Sequence, residues 1–176
     1  TMYLIVTRSF PPEVGGMQNL MWGLSNALSK YFMIKVFADY HDEYEKYDKE
    51  VSFSVERVAG IKLFRKYRKA YLVNEFIKNN KNIKGIIADH WKSLELIKDD
   101  SLKKTKSFCL LHSKEINHEI GSSLNKRLIK STNKADFIIA NSNFTKDLGI
   151  KVGIDRSKIS VIFPGIPKPL AIEKNK

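Results

Sequence analysis

The chain has 176 residues, 43% hydrophobic and 28% charged, enough for one globular core that buries roughly 70% of its unfolded surface. No apolar run approaches the ~20 residues of a spanning helix, which disfavours an integral membrane protein. Thirty-one Lys and Arg against nineteen Asp and Glu leave a formal charge of +12, which either favours anionic partners or reflects a lysine-rich surface.

The first apolar run, Tyr3 to Thr7 (YLIVT), reads as a strand buried on both faces. It has no basic lead and no cleavage site, so no secretory signal is expected. FPPEVGGMQN follows as a loop. Met17, Leu20, Met21, Leu24, Ala27 and Leu28 then recur at helical spacing, predicting a helix from about Met17 to Lys30. Met33 to Ala38 is the second strand, and the polar DYHDEYEKYDKE reads as a surface loop. Val51 to Val58 alternates, as a half-exposed or edge strand does. A long basic helix is expected from Leu63 to Asn80, with Phe64, Tyr67, Tyr71, Phe76 and Ile77 as its inner face.

Gly85 to Asp89 is the next strand, with a short helix over Trp91 to Lys98. Ser107 to His112 is a strand whose lone Cys109 reads as a small buried hydrophobe, compatible with a reducing compartment. Leu124 to Lys134 is helical and Asp136 to Asn141 is a strand. Ser142 is placed to cap a helix carrying Phe144, Leu148 and Val152, and Gly153 to end it. Lys158 to Phe163 is the last strand. PGIPKPLAIEKNK then loses periodicity and reads as a linker.

Strands alternating with helices predict an α/β, Rossmann-like, doubly wound and mainly parallel sheet with helices on both faces, spanning residues 2–163. Such sheets bind ligands beyond the carboxyl ends of their strands. The candidate positions are the loop after Thr7, His90, His112, and Asn141 with Ser142.

In that loop Gly15 and Gly16 stand at a helix start. Glycines admit a diphosphate close to the main chain, and the helix end supplies unpaired N–H groups and a positive dipole end. A plain turn is the other reading. Neither the dinucleotide fingerprint nor a GxxxxGK[ST] loop occurs, which disfavours a nicotinamide dehydrogenase and a nucleoside triphosphatase.

FPPEVGGMQNLMWGLSNAL resembles the opening loop of glycosyltransferase family 4 (group 1) enzymes. KADFIIANSNFTKDLGIKVGIDRSKISVIFPGI is similar to the stretch before that family's interdomain linker, with Pro164 where the family carries Asn. The resemblance covers nearly the whole chain but only half of such an enzyme. It implies the N-terminal, acceptor-side domain of a two-domain GT-B transferase, the start of a linker over 164–176, and a donor-gripping C-terminal domain absent from this chain. It also implies a retaining, hexosyltransferase-like reaction: sugar moves from a nucleotide diphosphate sugar to an acceptor hydroxyl, glycan or lipid-linked, as in cell-envelope polysaccharide synthesis. No cofactor and no metal are implied, and without its second domain the fragment is expected to be inactive.

By the same resemblance His112 is the family's strand-end histidine, beside the transferred sugar, positioning it rather than abstracting a proton. Gly15 and Gly16 bind the donor diphosphate. Gln18 either reaches an acceptor hydroxyl or is a helix-surface amide, and His90, Lys114 and Glu115 are candidates for the acceptor cleft. The four histidines lack metal-ligand spacing. The basic region Lys62 to Lys84 suits an anionic membrane surface or is simply solvated, while nucleic acid is disfavoured for want of a motif. A cytoplasmic protein, peripheral at the inner membrane face, is expected. Two alternatives stay open: a non-catalytic Rossmann-like domain binding an anionic partner, and a GT-B nucleotide-sugar epimerase.

Overall fold

The computed structural model describes residues 1–165. Seven strands form one sheet: β1 (Met2–Val6), β2 (Met33–Asp39), β3 (Ser54–Val58), β4 (Ile83–Ala88), β5 (Lys106–Leu111), β6 (Phe137–Ala140) and β7 (Ile159–Val161). Every pairing is parallel, and the order is β3-β2-β1-β4-β5-β6-β7. The chain therefore winds outward in one direction through β3, crosses back to β4 and winds the other way. The crevice between β1 and β4 is the topological switch point.

The intervening helices are α1 (Gly16–Ser29), α2 (Tyr44–Asp48), α3 (Lys62–Asn79), α4 (Trp91–Glu95), α5 (Asp99–Leu102), α6 (Ser113–Ile116), α7 (Ser123–Asn133) and α8 (Asn143–Lys151). Alternation along β1 divides the core. Leu4 and Val6 point to a layer built from α3, α4, α7 and α8, where Val73, Ile77, Trp91, Leu94 and Leu128 are buried. Ile5 points to the other face, where Met21 of α1 packs with Phe10 and Phe53. Gly85 in β4 makes room for its neighbour in β1: a Cβ there would come within 2.6 Å of the Tyr3 ring.

Ser142 caps α8 through its side chain, which accepts from Thr145 N–H, and Gly153 closes that helix at φ 104°. Several expectations are corrected. The segment read as a loop before β3 contains α2, and Ala27 and Phe144 are exposed rather than in their helical stripes. The largest correction concerns α3. Phe64, Tyr67 and Tyr71 are 60%, 52% and 63% exposed, not inner-face residues. The true inner face is Lys69, Ala70, Val73, Asn74 and Ile77. Small and aliphatic side chains fit the tight approach of helix to sheet, and the rings are turned outward. The linker expected from residue 164 lies, from 166 onward, outside the described residues.

Candidate functional site

Three strand ends, those of β1, β4 and β5, meet at the carboxyl rim beside the switch point, and Asp89, following β4, ties them together. It is 1% exposed. Its Oδ2 accepts from Thr7 Oγ1 at 2.8 Å and from Arg8 N–H at 3.0 Å, and its Oδ1 accepts from Ser93 Oγ at 2.6 Å. Its backbone carbonyl accepts from His112 Nε2 at 3.0 Å. One residue thus sets the exit of β1, the start of α4 and the ring of His112.

A carbonyl only accepts, so Nε2 of His112 carries the proton and the neutral ring keeps its lone pair on Nδ1. Burial holds this imidazole below its ordinary pKa, against the opposing pull of the Asp89 carbonyl and the nearby carboxylates. A weakly basic ring suits accepting a hydrogen bond from a bound hydroxyl better than removing its proton.

His90 is buried and has a structural occupation. Its Nδ1 accepts from Lys92 N–H at 2.9 Å, capping α4, and its Nε2 lies 2.7 Å from Glu115 Oε2. A carboxylate at that distance favours imidazolium, yet burial outweighs it and holds the His90 pKa low. The bond from Lys92 N–H also requires a bare Nδ1. The hydrogen bond from His90 in turn holds the Glu115 carboxyl below its usual value. Trp91 Nε1 donates to the Glu115 carbonyl at 2.9 Å, so α4 and α6 are clasped together. Glu115 keeps an exposed edge at the rim, and Lys114 beside it is exposed.

Both depressed histidines make the folded state bind protons less readily than the unfolded state. Their contribution to stability is complete above the ordinary value near 6.5 and is lost as pH falls through the lower folded values. Thermal melts from about pH 8 to 5 are expected to show a falling Tm below about pH 6.5. His90→Asn, whose amide oxygen still accepts from Lys92 N–H, should flatten part of that slope. An unchanged slope would assign the pH dependence elsewhere.

The glycine pair opens α1. No side chain caps this helix, and its first intrahelical bond runs from Asn19 N–H to the Gly15 carbonyl at 3.0 Å. The amides of Gly16, Met17 and Gln18 therefore have no partner within the helix. Gly15 is extended, at φ 165°, which any residue adopts. What a side chain there would meet is Gln18, whose carbonyl oxygen lies over Gly15 and whose amide donates to Glu13 Oε2 at 3.2 Å. A Cβ on Gly16 would meet nothing within 4 Å. A side chain at 16 thus has room, and the fold alone does not require glycine there.

The structure brings Gly15, Gly16, Gln18, His90, His112, Lys114 and Glu115 to one rim, with His90 occupied within the scaffold. Buried Lys69 of α3 is a residue that sequence reasoning misses: its ammonium donates to the Thr7 carbonyl at 2.6 Å and pairs with Asp39. Burial lowers its pKa, while Asp39 opposes the shift. The signal is its place beside Ala70, Val73 and Ile77, a helical stripe that aromatic residues obscure. Among the described residues, no group of three or more His, Cys, Asp or Glu side chains is placed to hold a metal ion.

A family model described as Glycosyltransferase Family 4 matches residues 14–168. No curated protein matches the sequence. Among solved structures, Anabaena HepE in complex with UDP is similar at TM-score 0.71 and 17% identity, over 94% of this chain and 44% of that one. A glycosyltransferase from Rickettsia africae gives 0.66 and 20%, over 94% and 43%. The UDP-GlcNAc 2-epimerase of Methanocaldococcus jannaschii gives 0.57 and 11%, over 91% and 44%. The chain spans less than half the length of these structures, and its fold is that of the N-terminal half of GT-B enzymes.

Proposed function

The chain belongs to glycosyltransferase family 4, and from that premise we propose that it is the acceptor-side domain of a retaining, hexosyltransferase-like enzyme. That enzyme moves a sugar from a nucleotide diphosphate sugar to a hydroxyl of a glycan or lipid-linked acceptor. The family match across most of the chain carries the reading. HepE, similar in fold, is a protein solved with UDP and with UDP-glucose, which supports a nucleotide-sugar donor.

The rim chemistry suits such a transfer. As the bond from the sugar's C1 to the diphosphate oxygen breaks, negative charge grows on the leaving group. The open amides at Gly16, Met17 and Gln18 and the positive end of α1 offset that charge. The acceptor oxygen bonds C1, and its proton passes to the departing diphosphate oxygen. His112, oriented by the Asp89 carbonyl, accepts from a sugar hydroxyl through Nδ1 and so fixes the sugar's angle. Gln18, Lys114 and the exposed edge of Glu115 border the acceptor side. A second domain closing over this rim excludes water and completes the donor site.

The test is to incubate the full-length protein with UDP-sugars, with and without glycan acceptors. UDP release that depends on acceptor is expected, and none from the 176-residue chain alone. Acceptor-independent conversion to an epimer, which the shared fold allows, would replace the reading with an epimerase. Binding without turnover would replace it with a non-catalytic domain.

The working place proposed is the cytoplasmic face of a membrane, with peripheral attachment. Among the described residues no helix is long and apolar enough to cross a bilayer. The part of α3 from Lys62 to Tyr71, which starts at the same carboxyl rim, turns Leu63, Phe64, Tyr67 and Tyr71 outward beside exposed Lys62, Lys66 and Arg68. Rings for the headgroup boundary and cations for anionic lipid are the two parts of an interfacial helix. Sedimentation with vesicles is expected to show stronger binding to phosphatidylserine-containing than to neutral vesicles. Phe64→Ser with Tyr67→Ser should weaken binding about tenfold. Equal binding to both vesicle types would rule the contact out.

A further inference from the structure

The glycine loop is held from the sheet edge by an arginine that belongs to none of the strands lining the switch point. Arg57 lies in edge strand β3, and its side chain is buried. Its Nε and Nη2 meet the two carboxylate oxygens of Asp48 at 2.9 and 2.6 Å. Nη2 also donates to the Pro11 carbonyl at 2.6 Å, and Nη1 to the Asp39 carbonyl at 3.3 Å. The guanidinium carbon sits 5.3 Å from the centre of the Phe10 ring and 5.7 Å from that of Tyr44.

The same small assembly grips α1. Trp22 of α1 packs on Phe10 at 5.5 Å, on Tyr47 of α2 at 6.1 Å and on Phe53 at 6.3 Å. The segment from Thr7 to Gly16 is thus anchored in two places. Lys69 and Asp89 hold its beginning, and Arg57 with its aromatic neighbours holds Phe10 and Pro11. Beyond Pro12 the chain runs through exposed Glu13 and Val14 to the glycines. Pro11, held by the Arg57 fork, is therefore the last anchored point of the loop before Gly15 and Gly16.

We infer that Arg57, oriented by Asp48, is a positioning residue for the glycine loop, so that the loop's affinity for the diphosphate of a nucleotide depends on it. The inference rests on the proposed function only for the identity of the ligand. It also explains why α2 is there, since that helix carries Asp48, Tyr44 and Tyr47 to the arginine and to α1. Lysine cannot replace this arginine, because a single ammonium cannot bridge both carboxylate oxygens and the Pro11 carbonyl in one plane.

The experiment compares the full-length protein with its Arg57→Lys and Asp48→Asn variants. Amide hydrogen exchange across residues 7–19 and UDP affinity by calorimetry are the readouts. Circular dichroism selects folded protein, and Asp48→Asn, which keeps the arginine, serves if Arg57→Lys does not fold. Exchange of the Asn19 amide, which donates to the Gly15 carbonyl, faster by about tenfold or more, with UDP binding weaker by about tenfold, is the expected result. Unchanged exchange at Asn19, or UDP affinity within about twofold of the parent, overturns the inference. If the parent binds no UDP, it is the proposed function that fails, and the exchange comparison alone decides whether Arg57 holds the loop.

Discussion

Gly16→Val in the full-length enzyme is expected to leave the fold intact and to lower kcat/KM by roughly a hundredfold. The two halves of that statement come from different observations. Gly16 is exposed, its ideal Cβ meets nothing within 4 Å, and it is the first residue of α1, where valine costs no more helix propensity than glycine. Thermal stability should therefore match the parent's. In the function proposed above, a diphosphate approaches the amides of Gly16, Met17 and Gln18 past the room that a Gly16 side chain would take. A branched side chain fills it and holds the anion away from those donors. Removing preorganised donors from a developing charge costs ~2.7–4 kcal/mol of transition-state stabilisation, which is the source of the hundredfold figure. Gly16→Ala should fall between the two. A folded Gly16→Val enzyme with near-parent kcat/KM would show that the diphosphate lies elsewhere, and the glycine pair would revert to a turn.

The fold is legible in the sequence because its signals are local. Each of the seven expected strands is found, since short apolar runs in an alternating β/α series have one economical arrangement. The rim positions follow from the strand ends, which is why His112, His90 and the glycines fall together. The failures have physical causes as well. On α3, size and apolarity point the aromatic residues inward. Tyrosine is also amphipathic, and Tyr67 and Tyr71 remain more than half exposed, while the tight inner face selects Ala70 and Val73. The segment from Asp39 to Glu50 shows no period because α2 spans only five residues, fewer than two turns. Its contribution is three side chains that meet Arg57 and Trp22, contacts made across the fold. Lys69 is hidden for a related reason: a lysine in a basic helix reads as solvated until the helix is rotated onto the sheet.

Asp89→Ala is expected to be the most destabilising single substitution at the rim, costing about 3–5 kcal/mol. The carboxylate has no water to fall back on, and neither do all of its partners. Thr7 is fully buried and turns its hydroxyl to Oδ2, and Arg8 N–H has the same oxygen as its acceptor. Truncation leaves Arg8 N–H and Ser93 Oγ facing a cavity, while Thr7 Oγ1 turns to the Ser9 carbonyl 3.0 Å away, and each unsatisfied buried group costs ~1–3 kcal/mol. The loss of Asp89 also removes a nearby carboxylate from buried Lys69, making its charge harder to keep. Asp89→Asn separates charge from geometry. Its carbonyl oxygen takes the Thr7 and Arg8 side, because a backbone N–H only donates. Its amide then faces Ser93, whose hydroxyl can turn to accept. That variant should cost only about 1 kcal/mol and keep the exit of β1 in place. Urea unfolding of both variants checks the pair. Equal losses for Ala and Asn would mean that the negative charge, through Lys69, matters more than the hydrogen bonds Asp89 accepts.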